Sequence, residues 1–349
     1  MASSSKLKNK VPRGIIITQD DFAQLMEPFG PYPSNEKIAV AVSGGPDSMS
    51  LTCLLQSWGR SRGLDIVGLT VDHRLREGAA EEAEQVSVWL RELGLSHHTL
   101  VWEAGKTMSH LDSSPQAAAR EARFNLLVQW CLDNHTSKLL IAHHSDDQAE
   151  TFLQRLVRGS GIDGLASMRA SVRRNEVILL RPLLVRPKAD LIATCEALGQ
   201  AWINDPSNQD QKYSRVRLRN LLEALAAEGL DRDRLLNTVS HIQRAKTAID
   251  AAVGELVRCS VTTHTNGDLV LDSLNFIKAP DEVALRSLAQ CLCEVSCTAY
   301  PPRFNSLMLV FNALKSDNWS DRTLHGCQLR MLDGKIVITP EDHERQNSC

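Results

Sequence analysis

The sequence has no run of about 18 consecutive apolar residues, the length that a membrane-spanning helix needs. It also has no apolar-centred secretory leader ahead of its first predicted strand. Hydrophobic residues (43%) and charged residues (23%) stand in ordinary globular proportions, so neither a disordered nor a fibrous class is indicated. We therefore expect a cytoplasmic protein with no membrane partner.

The sequence also lacks a cysteine pattern that would indicate disulfide bonds. The nine cysteines are odd in number and scattered, and no Cys-x-x-Cys occurs, which favours reduced thiols over a disulfide framework. Cys291, Cys293 and Cys297 form the only cluster. They fall in a predicted helix where 291 and 293 point apart and no histidine is close in sequence, so buried helix cysteines are favoured over a metal site.

A general excess of positive charge is also absent, because the net charge is -3. A nucleic-acid partner would therefore need a local basic patch. The stretch 155–219 provides one, with twelve basic against six acidic residues, a local excess of six positive charges. Such a patch would bind phosphates without reading sequence, so any base choice must come from a pocket.

The order of predicted elements indicates an α/β protein with a parallel sheet covered on both faces. Short apolar runs predict strands over 38–42, 66–71, 98–102, 139–142 and 177–180. Apolar residues at helical spacing predict helices over 81–93, 116–134, 187–198, 213–225 and 232–258. We expect three parts: a flexible basic extension over 1–33, a nucleotide-binding domain over 34–228, and a helical linker with a small α+β domain over 229–349. For the basic tail, an organelle transit segment is the less favoured interpretation.

The turn after the first predicted strand is the first candidate site. It consists of Ser43, Gly44, Gly45, Pro46, Asp47 and Ser48. Two glycines let the backbone approach a ligand closely, and the N–H groups of the following helix suit a phosphate. The turn has no lysine, so it is not the Gly-x4-Gly-Lys-Ser/Thr loop, and it is not the Gly-x-Gly-x-x-Gly dinucleotide turn. A strand-to-helix turn without a ligand is the alternative.

A second candidate site follows the strand predicted over 139–142. His143 and His144 lead into an acidic segment in which Asp147 and Glu150 share a helix face. Acid beside a phosphate loop repels the phosphate unless a divalent cation bridges them, so Asp47 and Asp147 together predict a magnesium site. Helix capping by an aspartate is the alternative. A zinc site at the two histidines is weak, because adjacent strand residues point to opposite faces.

The ordered motifs resemble the PP-loop ATP pyrophosphatase superfamily and, within it, the tRNA(Ile)-lysidine synthetases. The fold that the resemblance implies is the adenine nucleotide alpha hydrolase-like sheet. The motifs run in family order over about 38–225: the Ser43–Ser48 turn, 71–76, 119–124, 144–151, 158–161 with 164–165, 181–184, 202–208 and 213–219. Where the family usually has Arg-Asn-x-x-Arg, this chain has Val216 after Arg215, which puts an amide contact in doubt.

The resemblance implies a ligase that uses ATP and Mg²⁺ to adenylate the wobble cytidine of an isoleucine tRNA with a CAU anticodon. The side-chain amine of L-lysine then displaces AMP at C2 of the base, and the codon read changes from AUG to AUA. Neither zinc, an iron–sulfur cluster nor a flavin is expected. The motifs suit monomers and homodimers alike, so the oligomeric state stays open.

The resemblance also implies roles for individual residues. Asp47, Asp147 and Arg120 are the catalytic candidates, and the two aspartates are the metal ligands. The other candidates for ATP are Ser43, Gly44, Gly45, Pro46, Ser48, His73, Arg123 and His144. Glu150, with Asp147, would hold the lysine, and Arg158, Asp205, Asn208, Arg215, Arg217 and Arg219 would contact the tRNA substrate. Solvated helix arginines are the alternative for Arg120 and Arg123, and structural roles are the alternative for the two histidines.

Two other functions remain as alternatives. A PP-loop tRNA thiolase also adenylates a base, but that chemistry typically uses a Cys-x-x-Cys pair or an iron–sulfur cluster, and this sequence has no such pair. A catalytically silent RNA-binding relative would have lost the loop serines or the metal carboxylates, and all are present. The part beyond about 230 resembles the family's accessory domain, most clearly at 300–303 and 322–327, and suggests contacts with the tRNA body.

Overall fold

The computed structural model describes residues 14–74, 78–103, 115–204, 214–298, 300–316 and 319–341. The chain divides into two compact units, the first ending at Val239 and the second beginning at Ser240. Among the described residues, no helix combines the length and the apolar character that crossing a membrane requires.

The first unit contains a six-stranded sheet. Its strands are β1 (Lys37–Ala41), β2 (Asp65–Asp72), β3 (Ser96–Val101), β4 (Lys138–Leu140), β5 (Ser171–Arg174) and β6 (Val177–Leu180). Their order is β3-β2-β1-β4-β6-β5. All pairs are parallel except β5 with β6. The predicted parallel sheet is confirmed, with an antiparallel edge strand in addition.

Helices cover both faces of this sheet. They are α1 (Gln19–Met26), α2 (Pro46–Arg60), α3 (Ala79–Glu92), α4 (Pro115–Asp133), α5 (Ser145–Val157), α6 (Ile162–Leu165), α7 (Lys188–Ala197), α8 (Ser214–Ala227) and α9 (Arg232–Ser260), which continues into the second unit. Successive residues of β1 serve opposite faces. Ile38 and Val40 belong to a core with α1, α2, α3 and α7, whereas Ala39 belongs to a core with α4. Burial on both faces explains why the strands appear in the sequence as continuous apolar runs.

The prediction of a flexible extension is wrong for residues 14–33. Phe22 and Met26 of α1 are fully buried in the first core. The backbone N–H of Ile17 donates to Thr194 Oγ1 of α7 at 3.0 Å, and Thr18 caps α1. A helix of eight residues spans only about two turns, so the spacing of its apolar residues is a weak sequence signal. Residues 1–13 lie outside the described part.

The second unit contains a smaller antiparallel sheet. Its strands are β7 (Val261–Thr263), β8 (Leu269–Asp272), β9 (Arg322–Leu324), β10 (Cys327–Leu332) and β11 (Lys335–Pro340), in the order β7-β8-β11-β10-β9. The helices α10 (Ser273–Lys278), α11 (Asp281–Ser296) and α12 (Phe304–Leu314) share one apolar core with it. The sequence placed the domain boundary at 228, whereas the units divide at 239, because the first turns of α9 carry the buried Leu235 and Val239.

Candidate active site

The turn between β1 and α2 is held by hydrogen bonds of its own residues. The backbone N–H of Ser43 donates to Ser48 Oγ at 3.1 Å, and the Ser48 hydroxyl donates to the Gly45 carbonyl at 3.0 Å. Gly45 is the N-cap of α2 and Pro46 its first residue, where a missing N–H costs nothing. The serines thus fix the loop, and the N-terminus of α2 opens where a phosphate would bind.

Gly44 needs to be glycine for two reasons. Its φ of 81° lies in the left-handed region. A Cβ there would come within 2.6 Å of Ile203 Cδ1 and 2.9 Å of Val86 Cγ2. In addition, the Ile203 N–H donates to the Gly44 carbonyl at 2.9 Å. Ile203 therefore packs on the loop, whereas the predicted substrate residues Asp205 and Asn208 lie outside the described residues.

Asp47, in the first turn of α2, faces two cations. Its Oδ2 lies 3.5 Å from His144 Nε2 and 3.3 Å from Lys188 Nζ. The parallel pairing of β1 with β4 explains the first contact, because the residues after the two strands leave the same edge of the sheet. Asp47 Oδ1 is buried and has no hydrogen-bond partner among the described residues. A buried carboxylate oxygen of this kind fits a hard cation such as Mg²⁺.

The acidic segment at the start of α5 surrounds His144, whose side chain is 2% exposed. His144 Nδ1 lies 3.4 Å from Asp146 Oδ2, and Nε2 lies 3.5 Å from Asp147 Oδ2. Asp147 also accepts the His144 N–H at 3.1 Å in a capping box. Asp147 therefore does cap the helix. Capping uses one of its two oxygens, so its role as a metal ligand stays a prediction.

Charge in this cluster is balanced within the protein. Burial alone would lower the pKa of His144, but hydrogen bonds to Asp146 and Asp47 raise it to about 10. Burial would likewise raise the pKa of Asp47, yet the His144 hydrogen bond and the Lys188 charge hold it below its usual value. Asp146 also accepts the Lys188 backbone N–H at 2.7 Å and pairs with Arg232 at 3.4 Å. Three carboxylates thus face three cations.

No group of three or more His, Cys, Asp or Glu side chains in the described part of the chain is arranged to hold a metal ion. Triphosphate oxygens are the ligands that Mg²⁺ shares with one or two carboxylates in nucleotide sites.

Glu150 and Arg219 contact each other. Glu150 on α5 is 2% exposed, and its Oε1 accepts from Arg219 Nε of α8 at 2.5 Å. The sequence assigned Glu150 to the lysine and Arg219 to the tRNA, and both roles stay predictions. Of the other tRNA candidates, Arg158 and Arg217 are exposed. Arg215 lies on α8, and its side chain is outside the described part.

Arg120 and Arg123 on α4 lie over one aromatic ring. Their Cζ atoms are 5.3 Å and 5.8 Å from the centroid of Phe124, and Arg174 Cζ is at 5.2 Å. Burial and the Arg123 charge lower the pKa of His73, so this imidazole is neutral. His73 directly follows β2 and Arg123 acts on it electrostatically, so these two candidates form a region at the carboxyl end of β2. Contact of this region with phosphate stays a prediction.

The sequence missed several residues that the fold brings to the site. Lys188 contacts Asp47 of the loop and also Asp146, and both contacts join residues that are far apart in the sequence. Arg181 is 8% exposed, and it donates from Nε to His143 Nδ1 at 3.0 Å and from Nη1 to the Arg169 carbonyl at 2.8 Å. Arg181 and Asp146 lie in the motifs 181–184 and 144–151, and Lys188 lies in the basic stretch, but no sequence signal marks which residues they contact.

Comparison with known proteins shows the family of the chain. The PP-loop domain family ATP_bind_3 matches residues 16–225. The tRNA(Ile)-lysidine synthase of Rhodopseudomonas palustris is 44% identical over 333 residues, covering 91% of this chain and 94% of that protein. The tRNA(Ile)-lysidine synthase of the Wolbachia endosymbiont of Brugia malayi is 38% identical, covering 93% of this chain and 75% of that protein. The chain belongs to the tRNA(Ile)-lysidine synthase family. The family predicted from the ordered motifs is confirmed.

The fold of this lysidine synthase family member recurs at low identity. The U34-tRNA thiolase NcsA from Methanococcus maripaludis, solved with its 4Fe-4S cluster, matches with a TM-score of 0.56 and 16% identity over 65% of this chain and 79% of that chain. At this identity the likeness shows the fold alone. The predicted PP-loop α/β fold is confirmed, and the thiolase alternative is not favoured, because the curated relatives that match most of the chain are lysidine synthases.

Proposed function

We propose that the chain ligates L-lysine to C2 of the wobble cytidine in an isoleucine tRNA with a CAU anticodon, with ATP converted to AMP and pyrophosphate. Membership of the tRNA(Ile)-lysidine synthase family over most of the chain supports the activity. At the level of residues, the proposal depends on the carboxylate of Asp47, which lies at the N-terminus of α2. One of its oxygens is buried and has no hydrogen-bond partner among the described residues.

The first step is adenylation of the base. The oxygen on C2 attacks the α-phosphorus of ATP, the bond between the α- and β-phosphates breaks, and pyrophosphate leaves into the loop made by Ser43, Gly44 and Gly45. Asp47 and Asp147 would hold Mg²⁺, which supplies charge neutralisation at the phosphates when bound. Arg120 and Arg123 would neutralise further charge that develops as pyrophosphate leaves.

The second step is attack by lysine. Its side-chain amine bonds to C2, the bond from C2 to the AMP oxygen breaks, and the amine loses a proton. Asp147 and Glu150 share one face of α5, three residues apart. A buried carboxylate at 150 suits a cationic substrate, and Arg219 is the cation that holds it in the protein alone. The bound lysine substrate would therefore replace Arg219 as a cation in contact with Glu150.

The RNA would lie along the basic stretch 155–219. Arg158 and Arg217 expose their side chains, as phosphate contacts require. Such contacts position the anticodon arm but carry no base information, so the cytidine must be recognised at the catalytic site itself.

Transfer of labelled lysine tests this function. The protein is incubated with ATP, Mg²⁺, labelled lysine and the isoleucine tRNA bearing CAU, and a methionine tRNA with the same anticodon is the matched control. We expect label in the isoleucine tRNA alone. Absence of label while ATP is still consumed would refute the proposal.

A further inference from the structure

The candidate phosphate-binding loop after β1 has no lysine of its own. In the Gly-x4-Gly-Lys-Ser/Thr loop, the lysine reaches the β- and γ-phosphates, whereas this loop reads Ser43-Gly44-Gly45-Pro46-Asp47-Ser48. Serine hydroxyls and helix N–H groups alone leave most of the charge of a triphosphate unneutralised. A cation from another part of the chain would fill this role.

Lys188 is placed to do so. It is the first residue of α7, and its Nζ lies 3.3 Å from Asp47 Oδ2. Its side chain is 35% exposed and that of Asp47 is 25% exposed, so the pair borders the open side of the site. Exposed to this degree, the pair contributes little to folding, which makes a purely structural role a poor explanation.

The helix that carries Lys188 is fixed to the loop. The Lys188 backbone N–H donates to Asp146 Oδ2 at 2.7 Å, and the thiol of Cys195 donates to the Pro46 carbonyl at 3.3 Å. Leu191 of α7 is fully buried in the core that also contains Met49 of α2. The base of the Lys188 side chain is therefore rigidly placed, whereas its four-carbon stem leaves the ammonium group free to change partners.

A metal ion bound at Asp47 would change the local charge, and the Lys188 ammonium group would then favour a different partner. With no ligand, Lys188 neutralises Asp47. A divalent cation on Asp47 would displace the lysine by repulsion and would bring the negative phosphates with it.

We infer that Lys188 is the phosphate-binding lysine that the loop lacks, moving from Asp47 to the β- and γ-phosphates of ATP and remaining on the departing pyrophosphate. The inference rests on the proposed function for the identity of the nucleotide. It separates Lys188 from exposed basic residues of the same stretch, such as Arg158 and Arg217, which would contact RNA.

Binding measurements without tRNA or lysine test the inference. Affinities for ATP, pyrophosphate and AMP are measured in Mg²⁺ for the wild-type protein and for Lys188→Met, which keeps the length and removes the charge. We expect ATP and pyrophosphate to bind about tenfold to a hundredfold more weakly and AMP to bind unchanged, as for loss of one charge-assisted hydrogen bond. Lys188→Arg should stay close to wild type.

The control is Lys315→Met, which removes another lysine paired with an aspartate, Asp281, in the second unit. Its three affinities should equal those of the wild type. An equal loss for AMP and ATP in Lys188→Met, or unchanged ATP binding, would each overturn the inference. Failure of lysine transfer by the wild-type protein would instead count against the proposed function, because the contrast between ATP and AMP does not depend on it.

Discussion

Single residues with two functions are concentrated around His144. Its backbone N–H and its ring bind Asp147, while the ring also faces Asp47 and Asp146. One buried cation thus sets the positions of three carboxylates. Asp147 is both a helix cap and a candidate metal ligand, and only a substitution that keeps the cap can separate the two roles.

Asp47→Asn and Asp147→Asn should each abolish AMP release and leave tRNA affinity largely intact. Asparagine is nearly isosteric and its amide oxygen can still accept the His144 N–H, so the capping box survives in Asp147→Asn. What is lost is the negative charge that a divalent cation requires. AMP release and tRNA binding are measured on both variants. A fall in tRNA affinity parallel to the fall in AMP release would show that the carboxylates are structural.

Gly44→Ala should destabilise the protein and weaken ATP binding. The added methyl group meets Ile203 and Val86 at under 3 Å, in addition to the strain of a φ of 81°. Gly94→Ala is the matched control, because Gly94 has a φ of 73° and nothing within 4 Å of a Cβ. In urea unfolding, the free energy of unfolding should fall by about 1–3 kcal/mol more for Gly44→Ala than for the control. Equal losses would mean that the loop tolerates a side chain.

At the scale of elements, α1 and α7 tie the start of the described chain to the nucleotide loop. The backbone of Ile15 and Ile17 donates to Asp190 and Thr194 of α7, and α7 in turn contacts Pro46 through Cys195. The segment before β1 is therefore part of the first core and supports the helix that carries Lys188.

Phe22→Ala should lower the free energy of unfolding by about 3–5 kcal/mol, because Phe22 is fully buried in α1. Ile15→Ala is the control, since 68% of that side chain is exposed, and its effect should stay within about 0.5 kcal/mol. Denaturant unfolding of both variants provides the comparison. A negligible effect of Phe22→Ala would restore the interpretation of residues 14–33 as a flexible extension.

Elements with a strong local pattern were predictable from the sequence, and those defined by tertiary contacts were not. The strand 177–180 is a short apolar run, and it was predicted with the observed bounds. Strand β5, with Arg173 and Arg174 in a polar edge segment, carries no such run and was missed. Lys188 was counted only as part of a basic stretch, because its contact with Asp47 joins residues 141 positions apart.

At the scale of the molecule, a net charge of -3 coexists with a local excess of six positive charges over 155–219. Part of the basic stretch balances acids of the protein itself, with Lys188 at Asp47 and Arg219 at Glu150. Arg158 and Arg217 have exposed side chains that an anionic partner could contact. The family resemblance in the sequence identified the chemistry. The boundary between the two units was harder to predict from the sequence, because α9 continues as one helix through the boundary at 239.

In the proposed reaction, the loop holds the pyrophosphate that leaves as the base is activated. Its products can be followed with ATP labelled at the α- and γ-phosphates, with the CAU isoleucine tRNA and L-lysine present, while lysine transferred to the RNA is counted. We expect one AMP and one pyrophosphate for each lysine transferred. ADP and phosphate as products, or AMP formed without lysine in the RNA, would contradict it.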